Sequence, residues 1–163
     1  MIPGAVGRLT RRNPSLEVIV ASQASPKDPA PRGPHVVVSL PTRDLKRAFR
    51  FYREGLDFRL VVETADGTMP EPVHFTLNAG VSLMLIPTGG FGWVAGGNKV
   101  AEQGVSECIL SLSLETEAQI EALIAKAREA GAEVAAEPSQ KPWGYSATFK
   151  DPDGHVWMLE KGP

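Results

Sequence analysis

Three histidines, a single cysteine and scattered carboxylates are the groups through which this chain could do acid–base, nucleophilic or metal chemistry. His35 opens one alternating run and Glu107 opens a second, later in the chain. Should these two strand-end residues meet, the carboxylate would raise the imidazole pKa and the pair would present a proton donor. The plainer alternative is two solvated strand ends. His74 shares a strand face with Thr76 and Asn78, which suits a cross-strand polar contact. His155 follows the turn residue Gly154 and reads as structural or solvated. Cys108 alternates with Leu110, Leu112 and Leu114, so it reads as core filler and not as a nucleophile. One cysteine forms no internal disulfide, and a reducing, cytoplasmic setting is expected.

A glycine-rich stretch, Pro87 to Gly97, follows a predicted strand and contains a G-x-G-x-x-A string. A dinucleotide site needs an apolar-striped helix directly after such glycines, and Gly96-Gly97-Asn98 interrupts one. The stretch therefore reads as a connecting loop. Its aromatics Phe91 and Trp93 could cover an apolar ligand or meet a second subunit. Trp143, beside Gly144, is a further candidate for ligand contact, with an ordinary core aromatic as the alternative.

Bulk properties narrow the field. At 163 residues, 42% hydrophobic and 22% charged, the chain is long enough for one domain with a real core. A net charge of −2 without a long basic cluster gives no footprint for nucleic acid. No apolar run reaches membrane-spanning length. Residues 1–34 are dense in Pro, Ser, Arg and Gly and read as a flexible N-terminal extension. Arg8, Arg11 and Arg12 lend it only a faint transit-like character.

From His35 the pattern becomes regular, and it occurs twice. His35–Leu40 alternates as a half-buried strand, with Val36, Val38 and Leu40 on one face. Leu45, Ala48, Phe49, Tyr52 and Leu56 then recur at helical spacing behind Thr42 or Asp44 as N-cap, with Gly55 near the stop. Strand-like runs follow at Phe58–Glu63, Val73–Leu77 and Val81–Ile86, the last two joined by the hairpin signal Asn78-Ala79-Gly80. The second copy runs from Glu107. It has a capping box at Thr116–Gln119, a helical stripe of Ile120, Leu123, Ile124 and Ala127, and a stop at Gly131. Its last strands are expected near Ala132–Ala136, Tyr145–Lys150 and His155–Lys161, with the turn Asp151-Pro152-Asp153-Gly154 between the final two. Matching features lie roughly 72–74 residues apart, an internal repeat.

The segment Leu40-Pro41-Thr42-Arg43-Asp44-Leu45 with Phe51-Tyr52 resembles the first helix of vicinal oxygen chelate proteins, the glyoxalase, bleomycin-resistance and extradiol dioxygenase group. Gly144-Tyr145, Phe149, Asp151-Pro152-Asp153-Gly154-His155, Trp157 and Leu159 resemble the end of the same fold. The resemblance spans about 125 residues. It implies an α+β fold of two tandem βαβββ units, 35–87 and 106–161, joined by a Gly-rich loop, 88–105. The units form a curled mixed sheet around a cleft, with helices on the outer face. On that fold Val37, Ser39, Ser82, Met84, Ile109, Ser111, Val156 and Met158 face the cleft. Relatives that use a metal carry ligands at the positions of Val37, Met84, Ile109 and Met158. None of these four side chains suits a hard or borderline divalent cation, so no metal or other cofactor is expected. A ligand position shifted to Val36 is equally apolar. His35 and Glu107 lie two residues before the expected level and Glu160 two beyond, a separation of about 13 Å along the strands. The function implied is binding of a small, mostly apolar organic ligand, in a homodimer, with no nucleic acid or membrane partner. The alternative is a glyoxalase-like lyase or isomerase, with His35 and Glu107 as its weak catalytic candidates or with a metal after all. A dioxygenase fits least.

Overall fold

The computed structural model describes residues 34–163; the extension expected over 1–34 lies outside the described residues, Pro34 excepted. The first unit consists of β1 (Val36–Thr42), α1 (Leu45–Arg50), β2 (Arg59–Leu60), β3 (Val73–Asn78) and β4 (Val81–Pro87). Helix α1 continues as a π-helical turn, Phe51–Gly55. A short helix α2 (Thr88–Val94) follows, and then the second unit: β5 (Ile109–Leu114), α3 (Glu117–Glu129), β6 (Glu133–Lys141), β7 (Gly144–Lys150) and β8 (Val156–Lys161). Each unit is a four-stranded mixed sheet, ordered β1-β4-β3-β2 and β5-β8-β7-β6. The outer pairs β1–β4 and β5–β8 are parallel, as a βαβββ connection requires, and the remaining pairs are antiparallel.

Local chemistry sets the ends of these elements. Asp44 is the N-cap of α1, its side chain accepting from Arg47 N. Thr116 and Gln119 form the reciprocal capping box on α3. Gly131, at φ +100°, ends α3 with its N–H on Arg128 O. Three expectations change. The strand expected over Phe58–Glu63 shrinks to Arg59–Leu60: Phe58 turns into the core, and Val61 makes a last backbone bond to His74 O before strand structure ends. The Gly-rich connection does not begin as a loop. It forms α2, which ends before the two positive-φ glycines Gly96 and Gly97. Cys108 is exposed and not core filler, because β5 starts one residue later and nothing covers the thiol.

The two units share a core. Register places Val38, Leu40, Phe75, Leu83 and Leu85 on the buried face of the first sheet, and Leu110, Leu112, Phe149, Trp157 and Leu159 on that of the second. Val36, expected among them, lies at the strand's first position and is exposed. Tyr52 packs against Phe75 of the first sheet and Trp157 of the second, with ring centroids 5.8 and 5.9 Å apart. Phe58 also meets Trp157, and Phe51 meets Phe149. Each such pair adds about 0.5–1.5 kcal/mol beyond area burial. The helical layer is thus gripped by both sheets, and α3 supplies Ile120, Ile124 and Ala127 to the same core. At the far end the helices touch directly. A Cβ on Gly55 would overlap that of Ala130, and Lys126 pairs with Asp57.

A polar knot crosses the core beside these rings. Tyr52 donates to Asp151 Oδ2 (2.5 Å) and accepts from Trp157 Nε1 (3.1 Å). His155 Nδ1 (2.9 Å) reaches the same carboxylate, whose other oxygen accepts the backbone N–H groups of Asp153 and His155. Asp153 in turn accepts from Thr42 Oγ1 (2.6 Å), Arg43 N and Arg47 Nη2, all in the first unit. Burial pushes the Asp151 carboxyl upward. The His155 and Tyr52 hydrogen bonds, the His155 charge and the backbone donors outweigh burial and hold it below the usual range. Tyr52 stays protonated, pushed well up first by burial and then by the Asp151 charge.

Two outcomes are expected. Asp151 titrates lower in the folded chain than in the unfolded one. Its contribution is therefore complete above the unfolded carboxylate pKa and is lost as pH falls through the folded value. Asp151→Asn lowers stability by about 2–4 kcal/mol near neutrality, read by urea unfolding, and flattens the acid limb of the stability profile. Gly55→Ala raises the unfolded fraction by forcing the helix ends apart, at about 1–3 kcal/mol, and Ala130→Gly in the same chain recovers part of it.

Candidate functional site

The faces turned away from the core carry the groups singled out in the sequence. Strand alternation places Val37, Ser39, Ser82 and Met84 on the open face of the first sheet, where Val37 pairs with Ser82 and Ser39 with Met84. Ile109, Ser111, Val156 and Met158 occupy the open face of the second, pairing as Ile109 with Val156 and Ser111 with Met158. The repeat is therefore exact in register, since a serine–methionine pair recurs at the same place in both sheets. Val37 is 42% and Ile109 58% exposed. Both buried faces contact the helical layer, and these residues lie on the opposite face of each sheet.

The first sheet assembles a cluster that sequence reasoning did not. Ser82 is wholly buried, and two imidazoles fold over it from neighbouring strands: His35 Nε2 at 2.8 Å and His74 Nε2 at 2.7 Å from Oγ. Both are diagonal neighbours of Ser82, within reach of a long side chain across adjacent strands. The expectation of a cross-strand polar contact for His74 thus acquires a definite partner. Burial and then the His35 charge push the His74 pKa down. The signal in the sequence was the shared parity of His35, His74 and Ser82, and it does not reveal the pairing of strands β1, β4 and β3.

Glu107 is elsewhere. With Cys108 it lines a cavity of about 310 Å³ at the edges of β1 and β5. Arg43, Phe91, Val100, Leu110 and His155 share the lining, and Arg43 Nη1 donates to Gln103 across it (2.7 Å). His35 bonds Ser82, and no ion pair joins His35 to Glu107 among the described residues. His155 is held in the core knot, a structural role. Trp93 and Trp143 are 84% and 71% exposed, on α2 and on the β6–β7 turn, and the core-aromatic alternative for Trp143 does not apply. Glu160 is hydrogen-bonded to Ser113 beside it on the second sheet.

A family model described as the Glyoxalase/Bleomycin resistance protein/Dioxygenase superfamily matches residues 33–159. The chain belongs to that superfamily. Among solved structures, this glyoxalase-superfamily chain is similar to a hypothetical protein of S. aureus, with 26% identity, a TM-score of 0.65, and coverage of 76% of this chain and 90% of that one. A glyoxalase-related enzyme from Fulvimarina pelagi shares the fold at 24% identity and a TM-score of 0.67, covering 78% and 87%. TnmS3, an antibiotic binding protein from Streptomyces sp. CB03234, matches at 26% identity and 0.54, covering 80% and 97%. No curated protein matches the chain at a significant level.

Many members of the superfamily hold a divalent metal, and the residues at the corresponding positions of this chain do not suit one. Val37, Met84, Ile109 and Met158 offer hydrocarbon and thioether where carboxylate oxygen or imidazole nitrogen is needed. Among the described residues no three His, Cys, Asp or Glu side chains converge on a point. The donor set does not fit such an ion. Nor is any helix among those residues long and apolar enough to cross a membrane.

The His74 environment gives a direct test. In NMR titration its pKa falls below that of an ordinary histidine, and His35→Ala moves it upward only in part, because burial is the larger cause. A full return to the ordinary value would show that burial contributes nothing.

Proposed function

We propose that this chain binds a small, mostly apolar organic ligand without a metal, on the open sheet faces, with a second copy of the chain closing the site. One observation carries the reading. At the centre of each open face, where metal-using relatives present ligating groups, stand Val37 with Met84 and Ile109 with Met158. Serine hydroxyls at Ser39 and Ser111 border them, which suits a flat apolar body with few polar groups. TnmS3, whose name states that it binds an antibiotic, supports the same use of the fold.

The exposure of apolar residues on the two open faces supports a dimer. Each face would be half of a cleft, and exposed apolar side chains such as Val37 and Ile109 are costly to leave in water. A first-sheet face from one copy set against a second-sheet face from another buries them and encloses a pocket. Trp93 and Trp143, both exposed, are the aromatics available to cover its mouth. The exposed Cys108 thiol suits a reducing cytoplasm. A second reading, a glyoxalase-like lyase or isomerase, is favoured by a single feature, the His35–Ser82–His74 group, which could move a proton without a Lewis acid.

Thermal melts with nickel, zinc, manganese and iron salts leave the midpoint unchanged within about 1 °C, whereas a metal-dependent rise of several degrees would overturn the metal-free reading. In sedimentation the wild-type chain is a dimer. Ile109→Asp, placing a charge on the face that a partner covers, dissociates it and weakens binding of an apolar aromatic probe by at least about tenfold.

A further inference from the structure

We infer that the open face of the first sheet carries an acid-recognition subsite, where His35, Ser82 and His74 take a carboxylate or phenolate oxygen of the ligand together with one proton. The inference rests on the small-molecule reading above and adds the ligand's chemical class, an apolar organic acid.

The argument is one of donors and acceptors. A serine hydroxyl has one proton to give and two lone pairs to accept with. Ser82 Oγ stands within hydrogen-bond distance of both Nε2 atoms, so one neutral ring donates Nε2–H to the oxygen and the oxygen donates its proton to the other ring. The first ring is then left with a bare Nδ1 and the second with an Nδ1–H. Neither Nδ1 has a protein partner among the described residues. One added proton goes to the bare Nδ1. It leaves the inner chain of bonds intact and gives the pair two free N–H donors and one positive charge. A second proton would have to displace the serine proton at the other Nε2 and set two cations about one buried oxygen. The depressed pKa of His74, to which the His35 charge contributes, agrees with that reluctance. The cluster therefore accepts one proton readily, and with it becomes a two-donor cation suited to an acidic oxygen.

The surroundings favour an anion. On the same face β1 adds Val37, Ser39 and Pro41, β4 adds Met84 and Ile86, and β3 adds Thr76, none of them charged. β2 contributes Arg59, which pairs with Thr76 and so shares the face. Helix α2, packed on β1 and β4, has no charged residue. The acids of the β2–β3 connection are Glu63, paired with Arg53, Asp66, bonded to Thr68, and the exposed Glu71. No strand of the first sheet brings a carboxylate to this face. Val37 and Met84, in register beside Ser82 and His74, supply the apolar floor next to the cationic corner.

Calorimetry on the full chain with naphthoate and its neutral amide, naphthamide, separates the claims. Naphthoate binds at least about tenfold more tightly near pH 6, and the preference shrinks to about twofold above pH 8. Repeating the titration in buffers of different ionisation enthalpy shows net proton uptake on naphthoate binding, up to about half a proton near pH 7, and none with naphthamide. His35→Gln and His74→Gln each keep naphthamide binding while losing the preference and the uptake. Ser82→Ala, which retains both rings, loses the single-proton linkage. Equal binding of the two probes, or a preference untouched by His74→Gln, overturns the subsite and leaves the small-molecule reading standing. Failure of both probes to bind at millimolar concentration overturns both. Imidazole nitrogen spectra of the free protein test the subsite without any ligand: one Nε2–H and one Nδ1–H tautomer are expected, and two Nε2–H tautomers refute the relay.

Discussion

Two carboxylates on one turn hold this molecule in its shape. Asp151 and Asp153 are both buried, and a buried charge is tolerated only when donors surround it. The turn's own backbone and His155 supply some of those donors. Tyr52, Thr42, Arg43 and Arg47 supply the rest, and all four belong to the first unit. The second unit therefore cannot swing away from the first without stranding ionised oxygens in a low-dielectric interior. The aromatic layer of Tyr52, Phe58, Phe149 and Trp157 packs in the same place. Polar and apolar terms thus enforce a single arrangement.

That arrangement decides what the sheets can do. With the helical layer on their buried faces, the sheets each keep a second face, a wall that carries the polar groups and methionines. The repeat equips these walls alike at Val37 and Ile109, Ser39 and Ser111, Met84 and Met158. It equips them differently elsewhere, where Ser82 answers to Val156 and His74 to Thr148. The first wall has imidazoles and Arg59, while the second has the Lys150–Glu133 pair and Glu160. A duplicated scaffold thus carries two unequal walls, one basic and one mixed.

The π-helical turn after α1 belongs to the same economy. It carries Phe51 and Tyr52, two of the rings that reach the second sheet, and ends at Gly55, where only a hydrogen side chain admits Ala130. α3 is an ordinary helix with a full capping box and no such turn. The departure from the repeat falls where one unit must meet the other.

What the residues alone determined is whatever repeats over short distances. Period-two alternation set Val38 and Leu40, and Leu110, Leu112 and Leu114, each on one face of their strand, and the family resemblance put Val37, Met84, Ile109 and Met158 on the other. Helical spacing and caps located α1 and α3, and the spacing of like features exposed the duplication. These are local signals, because side-chain direction follows from the backbone of a few neighbours. The edges were less legible: β2 shrank and α2 formed, since pairing with β3 and the helical tolerance of Gly89, Gly90 and Gly92 leave little mark on hydrophobic pattern. Only the tertiary structure joined Ser82 to His35 across 47 residues and Asp153 to Thr42 across 111, and sent Glu107 to a different cavity. Such contacts depend on which strands lie side by side and how the units stack. Those choices are made by the whole core and the satisfaction of its buried charges, and no segment of the chain encodes them by itself.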